Sequence, residues 1–243
     1  MPAKKTIKQS ELGFVEPWGV LLVGSTGSGK TEFLKRYLMG KTGGNDGITA
    51  NPVKVINSID MVYWVAPKAS LVQTTLRDLS KHFGEFLEFI AYEDFSSETL
   101  DEKISKNHAA GLHTAVVFDD VMMKNNKHFQ GYISDLCVHG RHRQVQPYIL
   151  QQKIFNGDRV RRLQVKFMVL FNFAGKSEAR MLFSQLAADK NDGRKLMDAY
   201  KAIVARPYGC MILDTTNRST KDFPCAVRDT KLDRFIPVLY DAL

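Results

Sequence analysis

The chain has 243 residues with 44% hydrophobic and 25% charged side chains, enough to bury a full α/β core as a single domain spanning 1–243. Its 34 basic and 26 acidic residues leave a net charge of +8, which suits a polyanionic partner. The three cysteines, Cys137, Cys210 and Cys225, are odd in number and widely spaced, which excludes a disulfide framework and reads as reduced thiols. No apolar run reaches transmembrane length and Met1-Pro2-Ala3-Lys4-Lys5 does not open a signal peptide. A soluble intracellular or particle-packed protein without a membrane partner is expected.

Residues 1–15 are polar and lysine-bearing, and read as a mobile arm or an edge element. Gly19 to Val23 is a short apolar run, expected to be a buried strand, and leads into Gly24-Ser25-Thr26-Gly27-Ser28-Gly29-Lys30-Thr31. This octapeptide fits G-x-x-x-x-G-K-[ST], the phosphate-binding P-loop. Its glycines let the backbone curl so that successive N–H groups face phosphate oxygens. Lys30 brings an ammonium to the β- and γ-phosphates, and Thr31 offers a hydroxyl to Mg²⁺. Phe33, Leu34, Tyr37 and Leu38 recur at helical spacing, so the helix that follows aims its positive end at the same phosphates.

Further along, residues 40–51 are rich in Gly, Asn and Asp and read as a loop. Strands are expected over Met61–Ala66, Phe86–Ala91, Ala115–Phe118, Tyr148–Leu150, Phe167–Phe171 and Cys210–Leu213. Helices are expected over Leu71–Lys81, Ser97–Lys106, His128–Val138, Ser177–Ala187 and Arg194–Ala205. Such alternation implies βαβ units and a mainly parallel sheet. Residues 215–243 form a C-terminal segment to which the pattern assigns no structure.

In open α/β sheets ligands sit at the carboxyl ends of the strands, and three of these ends carry chemistry. One carries the P-loop. Ala115-Val-Val-Phe118 ends in Asp119-Asp120, four apolar residues and an acid, the Walker B pattern. Asp119 is a hard oxygen ligand suited to Mg²⁺, and Asp120 can orient and deprotonate an attacking water. Tyr148-Ile-Leu150 ends in Gln151-Gln152, whose amides can touch a γ-phosphate or that water. About 90 residues and a strand separate the P-loop from Asp119, so the acid strand is not the next one in the chain. Basic clusters lie at Arg141-His142-Arg143, at Arg159-Val-Arg161-Arg162, and at Lys124, Lys127 and His128. They can act as arginine fingers, bind DNA phosphates or form a solvated face. Cys137, His139 and His142 lack a fourth ligand and match no zinc spacing.

Taken together, these pieces resemble the genome-packaging ATPases of the FtsK–HerA superfamily, in the poxvirus-type branch found in large DNA viruses, virophages and polinton-like elements. The resemblance rests on the P-loop, on Asp119-Asp120, and on Gly140-Arg-His-Arg-Gln-Val-Gln-Pro-Tyr-Ile-Leu-Gln-Gln152-Lys-Ile-Phe155. It continues through Val169-Leu-Phe171-Asn172 with Lys176-Ser177, and through Pro207-Tyr208-Gly209 with Cys210 to Asp214, covering residues 18 to 215. It implies a RecA-like additional-strand P-loop NTPase, a three-layer α/β sandwich of strand order 5-1-4-3-2. It also implies ATP and Mg²⁺, with Gly24 to Thr31 on the nucleotide, Thr31 and Asp119 on the metal, Asp120 as base, Gln152 as sensor and Arg141 as trans arginine. Two assignments stay open: Gln151 stands where relatives often have threonine, and Arg143 competes with Arg141. The implied partners are double-stranded DNA without sequence preference, a homo-oligomeric ring of five or six subunits and a capsid vertex. The implied place is a viral factory or the virion. A cellular translocase of the same superfamily and a nucleotide-binding assembly protein are the alternatives.

Overall fold

The computed structural model describes residues 3–6, 19–39, 59–71, 76–120, 126–155, 159–172, 175–187, 190–215, 222–229 and 234–241. The loop expected over 40–51, most of the arm at 1–15 and Lys124 lie outside the described residues. The strands are β1 (Ala3–Thr6), β2 (Val20–Val23), β3 (Met61–Ala66), β4 (Leu87–Ala91), β5 (Thr114–Phe118), β6 (Val145–Gln151), β7 (Phe167–Leu170), β8 (Cys210–Asp214), β9 (Asp222–Asp229) and β10 (Arg234–Asp241). The helices are α1 (Lys30–Leu38), α2 (Lys68–Leu71), α3 (Arg77–Phe83), α4 (Ser97–Ala109), α5 (Lys127–His139), α6 (Arg159–Gln164), α7 (Lys176–Leu186) and α8 (Lys190–Val204).

All ten strands join one sheet in the order β1-β10-β9-β8-β7-β2-β6-β5-β3-β4. The stretch β7-β2-β6-β5-β3 is parallel and is the expected 5-1-4-3-2 arrangement. The sheet is longer than those five strands. β4 adds a parallel strand outside β3, while β8, β9, β10 and β1 extend the β7 side antiparallel. Cys210–Asp214 therefore does not close the sheet, and much of 215–243 is strand. Part of the N-terminal arm is likewise a strand, paired with β10.

The continuous apolar runs of β2, β5 and β6 are buried along their whole length, because helices cover both faces. Strand alternation splits the core into two clusters. Leu21, Val23, Val65, Val116 and Phe118 face α4, α5, α7 and α8 through Leu100, Ile133, Phe183 and Tyr200. Val20, Leu22, Trp64, Val117 and Leu150 face α1 and α3 through Phe33, Leu34, Tyr37 and Leu79. The result is a three-layer sandwich.

The strand expected over Tyr148–Leu150 is longer: β6 begins at Val145 and has Pro147 inside it. Pairing with β2 begins only at Tyr148, so on that side the proline precedes the ladder and its missing N–H is tolerated.

Candidate nucleotide site

The registers Val23↔Gln151 and Phe118↔Ile149 bring the loops after β2, β5 and β6 to one end of the sheet. There the first glycine of the loop has no room for a side chain: a Cβ on Gly24 would lie 2.4 Å from Ser28 Oγ and 2.7 Å from Phe171 Cβ. Gly27 and Gly29 take φ values of 75° and 102°, which L side chains resist. Gly24 N–H donates to Gln151 O and Ser25 N–H to Asn172 O, so the curl is pinned between β6 and β7.

Helix α1 begins at this curl with no side-chain cap, whereas α4 is capped by Ser96 Oγ and α5 by Asn126 Oδ1. No side chain caps this helix start, the end at which a helix takes an anion. Ser28 Oγ is buried in the same loop with no hydrogen-bond partner among the described residues. An uncapped helix start and an orphaned hydroxyl around a glycine curl fit a polyphosphate. Thr26 and Gly27, at the loop tip, are exposed.

Lys30 Nζ donates to Gly24 O at 2.7 Å and to Ser25 O at 3.1 Å, which holds the ammonium inside the curl. Burial pushes its pKa below the usual lysine range, against the pull of Asp119 and Asp120. Thr31 Oγ1 donates to Asp119 Oδ2 at 3.3 Å. Burial raises the Asp119 carboxyl to about 6, opposed by the Lys30 charge and reinforced by Asp120. Thr31 and Asp119 thus present hard oxygens side by side, the donor set Mg²⁺ takes.

Asp120 has φ 57°, an uncommon conformation for a residue with a side chain. Strain of this kind costs about 1–3 kcal/mol and gathers at functional sites. Gln152 Nε2 donates to Asp120 Oδ1 at 3.3 Å. Gln151 is buried, and its amide latches the following turn through Lys153 O (2.8 Å) and Ile154 O (3.4 Å). Of the two glutamines, Gln152 is the one that meets the acids.

Tyr92, just after β4, was not singled out by the sequence. Its hydroxyl donates to the carbonyl of Asp119, and its ring packs edge-on against Phe129. It braces the Asp119-Asp120 turn, and no local motif announces it.

Arg141 is exposed on the 3₁₀ turn before β6, and the length of that strand, about 20 Å, separates it from the nucleotide end. Arg143 is tied to α4, with Nη1 2.8 Å from Asp101 Oδ1 and Nη2 3.5 Å from Ser105 Oγ. Lys127 and His128 are exposed at the start of α5, and the Arg162 guanidinium sits 4.7 Å from the centre of the Phe155 ring. His139 pairs with Asp135, and no group of three His, Cys, Asp or Glu among the described residues can hold a metal. No helix among them is long and apolar enough to cross a membrane.

No protein-family model matches the sequence, and no curated protein sequence matches it. Solved structures do match. The genome-packaging NTPase B204 from Sulfolobus turreted icosahedral virus 2, in complex with ATP-γ-S, superposes with a TM-score of 0.52 at 16% identity, over 84% of this chain and 95% of that one. B204, the DNA-packaging ATPase from Sulfolobus turreted icosahedral virus, gives 0.56 at 13% identity, over 85% and 96%. EssC (ATPases 2 and 3) from Geobacillus thermodenitrificans gives 0.51 at 12% identity, over 94% of this chain and 40% of that one. The chain has the fold of the packaging ATPases. That fold is an α/β P-loop sandwich.

Proposed function

We propose that the chain is a Mg²⁺-dependent ATPase that drives double-stranded DNA into a viral capsid. One observation carries the reading: Lys30, Thr31, Asp119, Asp120 and Gln152 converge at the carboxyl ends of three adjacent parallel strands. A protein that used nucleotide only to fix its shape has no need of Asp120 and Gln152 beyond the phosphate-binding set.

The residues divide the chemistry. The Gly24–Thr31 backbone cradles the phosphates and Lys30 neutralises their charge. Thr31 and Asp119 would hold Mg²⁺, which would supply positive charge to the phosphates. Asp120 accepts the proton of the attacking water. Gln152 bridges from Asp120 Oδ1 to that water or the γ-phosphate, and thereby ties nucleotide state to β6.

Arg141 lies at the other end of β6 from its own nucleotide, so a role in hydrolysis would be on a neighbour's nucleotide, in a ring with ATP at each interface. Arg143, engaged by Asp101, is the weaker candidate. The net charge of +8 and the exposed Lys127 suit contacts to DNA phosphates, which are independent of sequence.

Duplex DNA of unrelated sequences should stimulate ATP turnover, and binding should weaken by about 10³-fold or more between 50 and 200 mM salt if six or more phosphates are neutralised. Turnover without any DNA response, and no DNA binding by assembled rings, would replace the motor with the assembly-protein reading.

A further inference from the structure

The loop before β8 brings an aromatic ring to the nucleotide end of the sheet. β8 runs antiparallel to β7 with Leu170 opposite Met211, so the residues preceding Cys210 lie beside the carboxyl end of β7. The turn there is fixed. Gly209 N–H donates to Arg206 O at 3.0 Å, and a Cβ on Gly209 would lie 2.2 Å from Ile203 O. Tyr208 is held at φ 55°, an outlier for so bulky a residue, with 48% of its surface exposed. Its ring lies against the last glycine of the P-loop: a Cβ on Gly29 would be 3.0 Å from Tyr208 Cδ1 and 3.4 Å from Tyr208 Cβ.

The direction of a bound triphosphate follows from the other side chains. Asp119, Asp120 and Gln152 stand on the β5 and β6 side, so the reacting γ-phosphate lies there. The nucleoside must then leave the loop on the opposite side, toward β7 and β8, where Tyr208 stands. A half-exposed ring at a strained backbone position, lying against the glycine that precedes Lys30, is placed to meet what the loop binds.

We infer that Tyr208 is the platform on which the nucleobase of the bound triphosphate stacks, and that it favours the larger purine face over pyrimidines. The inference rests on the ATP reading above and adds the base subsite to it. Stacking is tolerant of base identity, so the ring gives affinity and a preference by size more than a choice between adenine and guanine.

The test compares Mg²⁺-ATP with Mg²⁺-tripolyphosphate, which lacks the base, by calorimetric titration of wild type, Tyr208→Phe and Tyr208→Asn. Asparagine tolerates a positive φ, so it removes the ring while sparing the turn. Tyr208→Asn should bind ATP about 5- to 30-fold more weakly and tripolyphosphate as wild type does, while Tyr208→Phe keeps both. Equal ATP affinity in Tyr208→Asn overturns the base platform alone. An equal loss for both ligands also overturns it, because the ring then acts through Gly29 on the phosphates. A wild type that binds neither ligand removes the ATP reading and this inference with it.

Discussion

Asp119 should make the fold less stable as pH rises, and Asp119→Asn should abolish that dependence. Burial raises its carboxyl from 3.8 to about 6, with Lys30 and Asp120 as the charged neighbours. A carboxyl whose pKa is higher folded than unfolded contributes stability that is complete below 3.8 and lost as pH climbs through about 6. A gap of about two pH units amounts to about 3 kcal/mol once the group is fully ionised. Between pH 5 and 7.5 the part lost is about 1.4 kcal/mol. For a chain of this size that is about 3–6 °C in Tm. The assay is a pH series of thermal or urea unfolding with chelator and without nucleotide, on wild type and Asp119→Asn. Wild type should lose stability from pH 5 to pH 7.5 relative to the variant, which should be the more stable of the two at neutral pH. Mg²⁺-ATP should then stabilise wild type far more than Asp119→Asn. Parallel pH curves for the two proteins would refute the reasoning, since they would mean that Asp119 ionises in the fold as freely as in the unfolded chain.

The remaining predictions concern the other site residues. Lys30→Ala should lose most ATP binding in a titration, because the phosphates lose their cation, while Asp120→Asn should still bind ATP with turnover down about 10²–10⁴-fold. Gln152→Ala should slow turnover without moving the unfolding midpoint, whereas Gln151→Ala should lower stability by about 1–3 kcal/mol by orphaning the carbonyls of Lys153 and Ile154. Arg141→Ala should bind ATP yet hydrolyse it about 10³–10⁵-fold more slowly. Mixing it with Asp120→Asn subunits should restore part of the ATPase rate, and no recovery in rings shown to exchange subunits would remove Arg141 as the trans residue.

The local features were legible in the sequence because their physics is local. A glycine curl, a lysine and a threonine eight residues long need no distant partner to be recognised as a phosphate cradle. Five buried parallel strands announce themselves as apolar runs, since burial on both faces suppresses alternation. The same reasoning did not reach β9 and β10. Asp222–Asp229 and Arg234–Asp241 carry Pro224 and Pro237 inside their apolar runs, and a proline within such a run argues against reading it as a strand.

What only the tertiary structure decided is which neighbours meet. Gln151 and Gln152 are chemically identical, and their roles separate because Gln151 ends β6 and its amide latches the following turn, while Gln152, just beyond the strand, reaches Asp120. Arg141 and Arg143 separate because Asp101, some forty residues away in sequence, captures one of them. Tyr92 and Tyr208 join the site from the turn after β4 and from the turn before β8, and no spacing rule links them to the P-loop. The sequence by itself determined the phosphate chemistry, because that chemistry is made of contiguous backbone. The packing of distant strands determined which side chain braces the acids and which ring lies against Gly29, because those contacts exist only once the sheet is assembled.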